Sequence, residues 1–128
     1  MVSTIKHVLG RYHFVVFAYL YGSSMNSDLC RDIDIAVYSK TEADPFRLSV
    51  DLKLALSEKT GKSPDFFDVR VINHLIQKGD LFSLLYLRDV LNRGKLLVDK
   101  SFQEIATFIE AFSMKFRECQ GLIAEVCS

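Results

Sequence analysis

The chain has 128 residues, the size of one domain, and 49% of them are hydrophobic, enough for a core at this length. Sixteen Lys and Arg balance sixteen Asp and Glu, and no run of like charge exceeds two residues. This excludes an acidic or basic tail and the basic footprint of a nucleic-acid surface, so no direct nucleic-acid binding is expected. Cys30, Cys119 and Cys127 are odd in number and form no CxxC pair, which fits reducing surroundings rather than a disulfide framework. His7, His13 and His74 lack ligand spacing, so no zinc site is expected. The N-terminal MVSTIKHVLGRYH lacks an apolar signal core, and FVVFAYLY is far shorter than the roughly 20 residues that span a membrane. The expectation is a soluble cytoplasmic protein with no membrane partner.

Val2, Ile5, Val8, Leu9 and Tyr12 recur at helical spacing and predict a first helix. Residues 14–21 are β-branched and aromatic with no break before Gly22, which predicts a central strand buried on both faces. Residues 32–38 alternate, with Asp32, Asp34 and Ala36 on one face and Ile33, Ile35 and Val37 on the other, which predicts a second strand. FRLSVDLKLALS, residues 46–57, also alternates. Here the start signal outweighs the period: Asp44 is a helix N-cap, Pro45 suits the first helical position, Leu, Lys and Ala favour helix, and Gly61 supplies the stop.

Residues 66–73, FFDVRVIN, predict a third strand with Asp68, Arg70 and Ile72 on one face. Asp80 then caps the apolar helix LFSLLYLRDVL, Gly94 ends it, and residues 95–98 predict a short strand. Ser101 and Glu104 form a capping box for a last helix. Its expected apolar stripe runs through Phe102, Ile105, Ile109, Phe112, Phe116, Cys119, Ile123 and Val126, widened by Phe108 and Leu122. That stripe packs on its own domain or on a partner helix.

The carboxylates carry the functional argument. Asp32 and Asp34 leave one strand face about 7 Å apart at their Cα atoms. Like charges this close repel, and burial worsens the cost. A divalent cation relieves it, and carboxylate oxygens suit Mg2+, which usually also takes substrate phosphates. If the second and third strands are neighbours, Asp68 faces the pair, and three carboxylates then hold two metals about 4 Å apart, a clamp for in-line phosphoryl displacement. Gly22 and Ser23 follow the first strand directly. Glycine lets backbone approach a phosphate, which N–H groups and the Ser23 hydroxyl then bind.

Gly22-Ser23, a loop, Asp32-x-Asp34 and a later lone Asp68 together resemble the minimal nucleotidyltransferase family of the DNA polymerase β-like superfamily. The segments AYLYGS, DIDIAV, FDVRVIN and LNRGKLLV extend the resemblance over residues 17–98. It implies a single nucleotidyltransferase domain, residues 1–128, of α+β (α/β-like) class: a short mixed β-sheet flanked by helices, expected mainly on one side, with a long C-terminal helix. It implies Mg2+-dependent transfer of AMP from ATP to a hydroxyl, with Asp32, Asp34 and Asp68 as metal-binding and catalytic residues, two Mg2+ ions, and Gly22, Ser23 and Ser24 on the nucleotide. Small members pair as antitoxins with a helical HEPN-domain toxin, so a HEPN partner is the implied acceptor. Family members commonly carry a longer, glycine-bearing loop; here eight residues, 24–31, contain no glycine, which predicts weak ATP binding. Two further readings stand beside this one: a weakly active or inactive antitoxin that acts by binding alone, and a subunit of a small-molecule, aminoglycoside-type nucleotidyltransferase.

Overall fold

The computed structural model describes residues 1–21 and 33–121. Helix α1, Val2–Arg11, is followed by strands β1, Val15–Tyr21, and β2, Ile33–Ser39. Helix α2, Pro45–Thr60, and a 3₁₀ turn, Pro64–Phe66, lead into strand β3, Phe67–Val71. Helices α3, Leu75–Lys78, and α4, Leu81–Arg93, precede strand β4, Lys95–Asp99, and helix α5, Phe102–Glu118. The sheet order is β3-β2-β1-β4. Strand β1 runs antiparallel to both its neighbours, and β2 pairs with β3 in parallel, so the sheet is mixed.

Residues 46–57 are helical as the start signal required. The Asp44 carboxylate accepts from the Phe46 and Arg47 amides at 3.0 and 3.4 Å, and Gly61 closes the helix at φ +77°, where a side chain would be strained. The alternating apolar residues divide into two sets. Leu48, Leu52 and Leu56, spaced by four, are buried, while Phe46, Val50 and Leu54 face solvent. The strand-like period therefore reflects an apolar outer face added to an ordinary helical stripe.

Helices cover both faces of the sheet, which corrects the one-sided expectation. Ala18, Leu20, Ile33, Ile35 and Val37 pack with Ile5, Val8 and Leu9 of α1 and with the leucines of α2. Phe17, Tyr19 and Ala36 point the other way, into Leu84, Leu87 and Val90 of α4 and Ile105, Phe108 and Phe112 of α5. Strands apolar on both faces require two covering layers, because either face left bare would stay in contact with water.

The last helix keeps its cap, with the Glu104 amide donating to Ser101 Oγ at 3.3 Å. Its buried stripe is Ile105, Phe108 and Phe112, with Phe116 and Cys119 against the same cluster. Phe102 and Ile109 are exposed, so the predicted stripe is corrected by a rotation toward Phe108. Ile123, Val126 and Leu122 lie outside the described residues. Helix α3 is one turn long, too short for a period to reveal it, and Gly79 ends it at φ +63°. At Gly94, between α4 and β4, a Cβ would run into the Val90 carbonyl and crowd the Leu20 carbonyl of β1, so the approach of α4 to the sheet needs glycine there.

Candidate active site

Asp34 and Asp68 are Cα partners in the parallel β2–β3 ladder. Register partners on neighbouring strands lie about 4.8 Å apart and project to the same face. Asp34 shares its face with Ala36, and Asp68 with Ile72, both of which pack toward α4 and α5. The sequence-derived condition that these strands be neighbours is met. Asp32 lies outside the described residues, as do Gly22, Ser23 and Ser24. Strand β1 ends at Tyr21, which is the Cα partner of Asp34 on its other side. The chain therefore enters the Gly22-Ser23-Ser24 segment from a point beside the carboxylates.

Three residues that the sequence did not single out as functional surround the pair. Arg70, two positions beyond Asp68 and on its face, brings Nε to 3.6 Å from Asp68 Oδ2. Its guanidinium carbon stands 5.0 Å from the ring centroid of Tyr86 on α4, a cation–π distance. Tyr86 meets Tyr21 edge-on, with ring centroids 5.5 Å apart. Burial pushes the Tyr86 hydroxyl well above the usual tyrosine range; the Arg70 charge pulls it back, while Asp68, Tyr21 and Asp34 push it further up. The two-residue period of β3 already put Arg70 on the carboxylate face; nothing in the sequence of α4 marked Tyr86.

The donor set fits a hard cation. Carboxylate oxygens are what Mg2+ prefers, and two in register leave a like-charge pair that a cation relieves. Among the described residues no group of three metal-ligating side chains converges, and Asp34 with Asp68 provides two. A separate cavity of about 530 Å3 opens at the far end of β2, lined by His13, Tyr38, Lys40, Lys100 and Glu104 among others. Its cations already have neighbours: Lys100 Nζ donates to the Tyr12 carbonyl at 2.6 Å, and Lys40 Nζ stands 3.2 Å from His13 Nε2. No helix among the described residues is long and apolar enough to cross a membrane.

A mixed sheet covered on both faces, with carboxylates in register at the end of its two parallel strands, is a nucleotidyltransferase core. The chain belongs to the polymerase beta nucleotidyltransferase family, which matches residues 3–103. No curated protein gives a significant match. Among solved structures the chain is similar to a toxin–antitoxin with AMP-PNP, at 22% identity over 99% of this chain and 98% of that one, with a TM-score of 0.66. It is also similar to an MntA–HepT toxin–antitoxin, at 21% identity over 99% and 97% of the two chains, with a TM-score of 0.62. A third likeness is to a complex of a tri-AMPylated Shewanella oneidensis HEPN toxin with an MNT antitoxin, at 23% identity over 100% of each chain, with a TM-score of 0.60. At these identities the likeness is one of fold.

Proposed function

We propose that the protein is a Mg2+-dependent nucleotidyltransferase that moves AMP from ATP to a hydroxyl of a HEPN-type toxin, and is that toxin's antitoxin in the cytoplasm. The observation that carries this reading is the register of Asp34 with Asp68, beside the strand end that leads into Gly22 and Ser23. The family match supports the reaction class, and the AMP-PNP and tri-AMPylated toxin structures support the nucleotide and the acceptor.

In this reading residues 1–128 act as one domain. The acceptor hydroxyl oxygen bonds to the α-phosphorus of ATP, the bond from that phosphorus to the bridging oxygen breaks, and pyrophosphate leaves with the electron pair. The hydroxyl proton passes to the Asp68 carboxylate, which is 46% exposed and open to an incoming group. Asp32, Asp34 and Asp68 would hold the metals, the Gly22 backbone and the Ser23 hydroxyl would hold the β- and γ-phosphates, and Ser24 would join them on the nucleotide. Mg2+ held there would supply charge neutralisation for the transferring phosphoryl group.

A second reading, neutralisation by binding alone, is favoured by the eight-residue loop that lacks glycine. The two separate in one experiment. The protein is incubated with Mg2+-ATP and a purified HEPN toxin, and the toxin's mass and toxic activity are followed. Transfer adds one or more AMP units to the toxin as it loses activity. Neutralisation at equimolar protein with no change in mass contradicts transfer and establishes occlusion.

A further inference from the structure

Asp34, Asp68, Arg70, Tyr86 and Tyr21 form a closed circuit on one face of the sheet. Asp34 neighbours Asp68 across the β2–β3 ladder, and Tyr21 neighbours Asp34 across β1–β2. Asp68 pairs with Arg70, Arg70 lies on the Tyr86 ring, and Tyr86 abuts Tyr21. The circuit draws on β1, β2, β3 and α4, so its members are held by separate elements rather than by one flexible segment. Its cation, Arg70, sits against Asp68, the register partner of Asp34.

We infer that Arg70 is an internal counter-ion of the metal site: a positioning residue that holds Asp68 in the metal-free protein and that a divalent cation displaces on binding. The inference rests on the metal-site reading above. At 3.6 Å the Arg70–Asp68 contact is an ion pair longer than a hydrogen bond, and both side chains are about half exposed, so the pair parts readily. The Tyr86 face gives the guanidinium a seat independent of Asp68, so releasing the carboxylate leaves Arg70 stacked rather than adrift. Metal and Arg70 then compete for one carboxylate, and Arg70 sets the metal concentration at which the site fills.

The test is titration of the purified full chain with Mn2+ alone, by calorimetry, together with melting with and without Mn2+. R70Q removes the competing charge and binds Mn2+ about two- to fivefold tighter than the wild type, the range for a half-exposed ion pair. R70K keeps the charge and stays near the wild type. R70Q melts lower than the wild type without metal, and saturating Mn2+ narrows the gap to what the lost Tyr86 contact leaves. A merely structural arginine would lower melting equally in both conditions and leave Mn2+ affinity unchanged. Wild-type binding of Mn2+ with R70Q equal or weaker overturns the counter-ion role alone. Absence of Mn2+ binding in all three proteins overturns the metal-site reading and this inference with it.

Discussion

On the α1–α2 face the sheet meets aliphatic side chains almost throughout: Ile5, Val8 and Leu9 from α1, Leu48, Leu52 and Leu56 from α2, with Phe67 the one fully buried ring. On the α4–α5 face aromatic rings join the aliphatic filling of Leu84, Leu87, Val90 and Ile105. Phe17 stacks on Tyr38 at 4.8 Å, Phe108 closes edge-on against both, and Tyr19, Tyr21, Tyr86, Phe112 and Phe116 extend the cluster. Aliphatic packing is non-directional and leaves no polar group to satisfy, so it closes that face. Tyrosines present an apolar body and a polar tip, so a face built from them can run without a break into a charged site. Asp34, Asp68 and Arg70 sit on that second face. One side of the sheet supports, and the other carries the candidate site.

Matched substitutions on the two faces break this comparison if it is wrong. The largest effect is expected from Asp34→Asn. Transfer of labelled AMP falls about a thousandfold as a charged metal ligand is lost, while the urea midpoint moves little. Leu52→Ala on the opposite face does the reverse. It leaves a cavity under α2 that costs about 2–4 kcal/mol in urea unfolding, and transfer per folded molecule is unchanged. Loss of transfer beyond the folded fraction in Leu52→Ala would mean that the aliphatic face shapes the site.

A smaller effect tests how α2 is specified. Asp44→Ala removes the acceptor for the Phe46 and Arg47 amides and costs about 1 kcal/mol in the same assay, with no change in transfer. The smallest effect concerns pH. Burial raises the Tyr86 hydroxyl above its ordinary 10.0, so folding favours its neutral form. Its contribution is fully present below about pH 10 and is lost as pH climbs through the folded value. Melting of the wild type therefore falls above pH 10, and Tyr86→Phe, which cannot ionise, falls less steeply. Tyr12, Tyr19 and Tyr38 are raised by burial as well, so part of the decline remains in the variant.

Local signals were legible because their causes are local. Asp44-Pro45, Gly61, Asp80 and Ser101 act within one turn of chain, and each bounds a helix where the sequence placed it. The face shared by Asp68 and Arg70 follows from a two-residue period. What escaped depends on contacts between distant segments. The meeting of Asp34 with Asp68 was expected only on the condition that β2 and β3 pair across the whole of α2, and that helices cover both faces rests on the order of strands. Tyr86 joined the site because α4 lies against β1, where its ring meets Tyr21 and Arg70. The Phe102 and Ile109 positions misled because an apolar residue at helical spacing carries no mark of which neighbour will cover it.

In the proposed reaction the carboxylates of the α4–α5 face serve nucleotidyl transfer. This role is tested most directly by parallel incubations of the wild-type protein and a HEPN toxin with Mg2+ and ATP labelled at either the α- or the γ-phosphate. α-Label is expected on the toxin and γ-label in pyrophosphate, with Asp34→Asn cutting both about a thousandfold. Toxin neutralised with no label bound, or γ-label on either protein, would contradict that role.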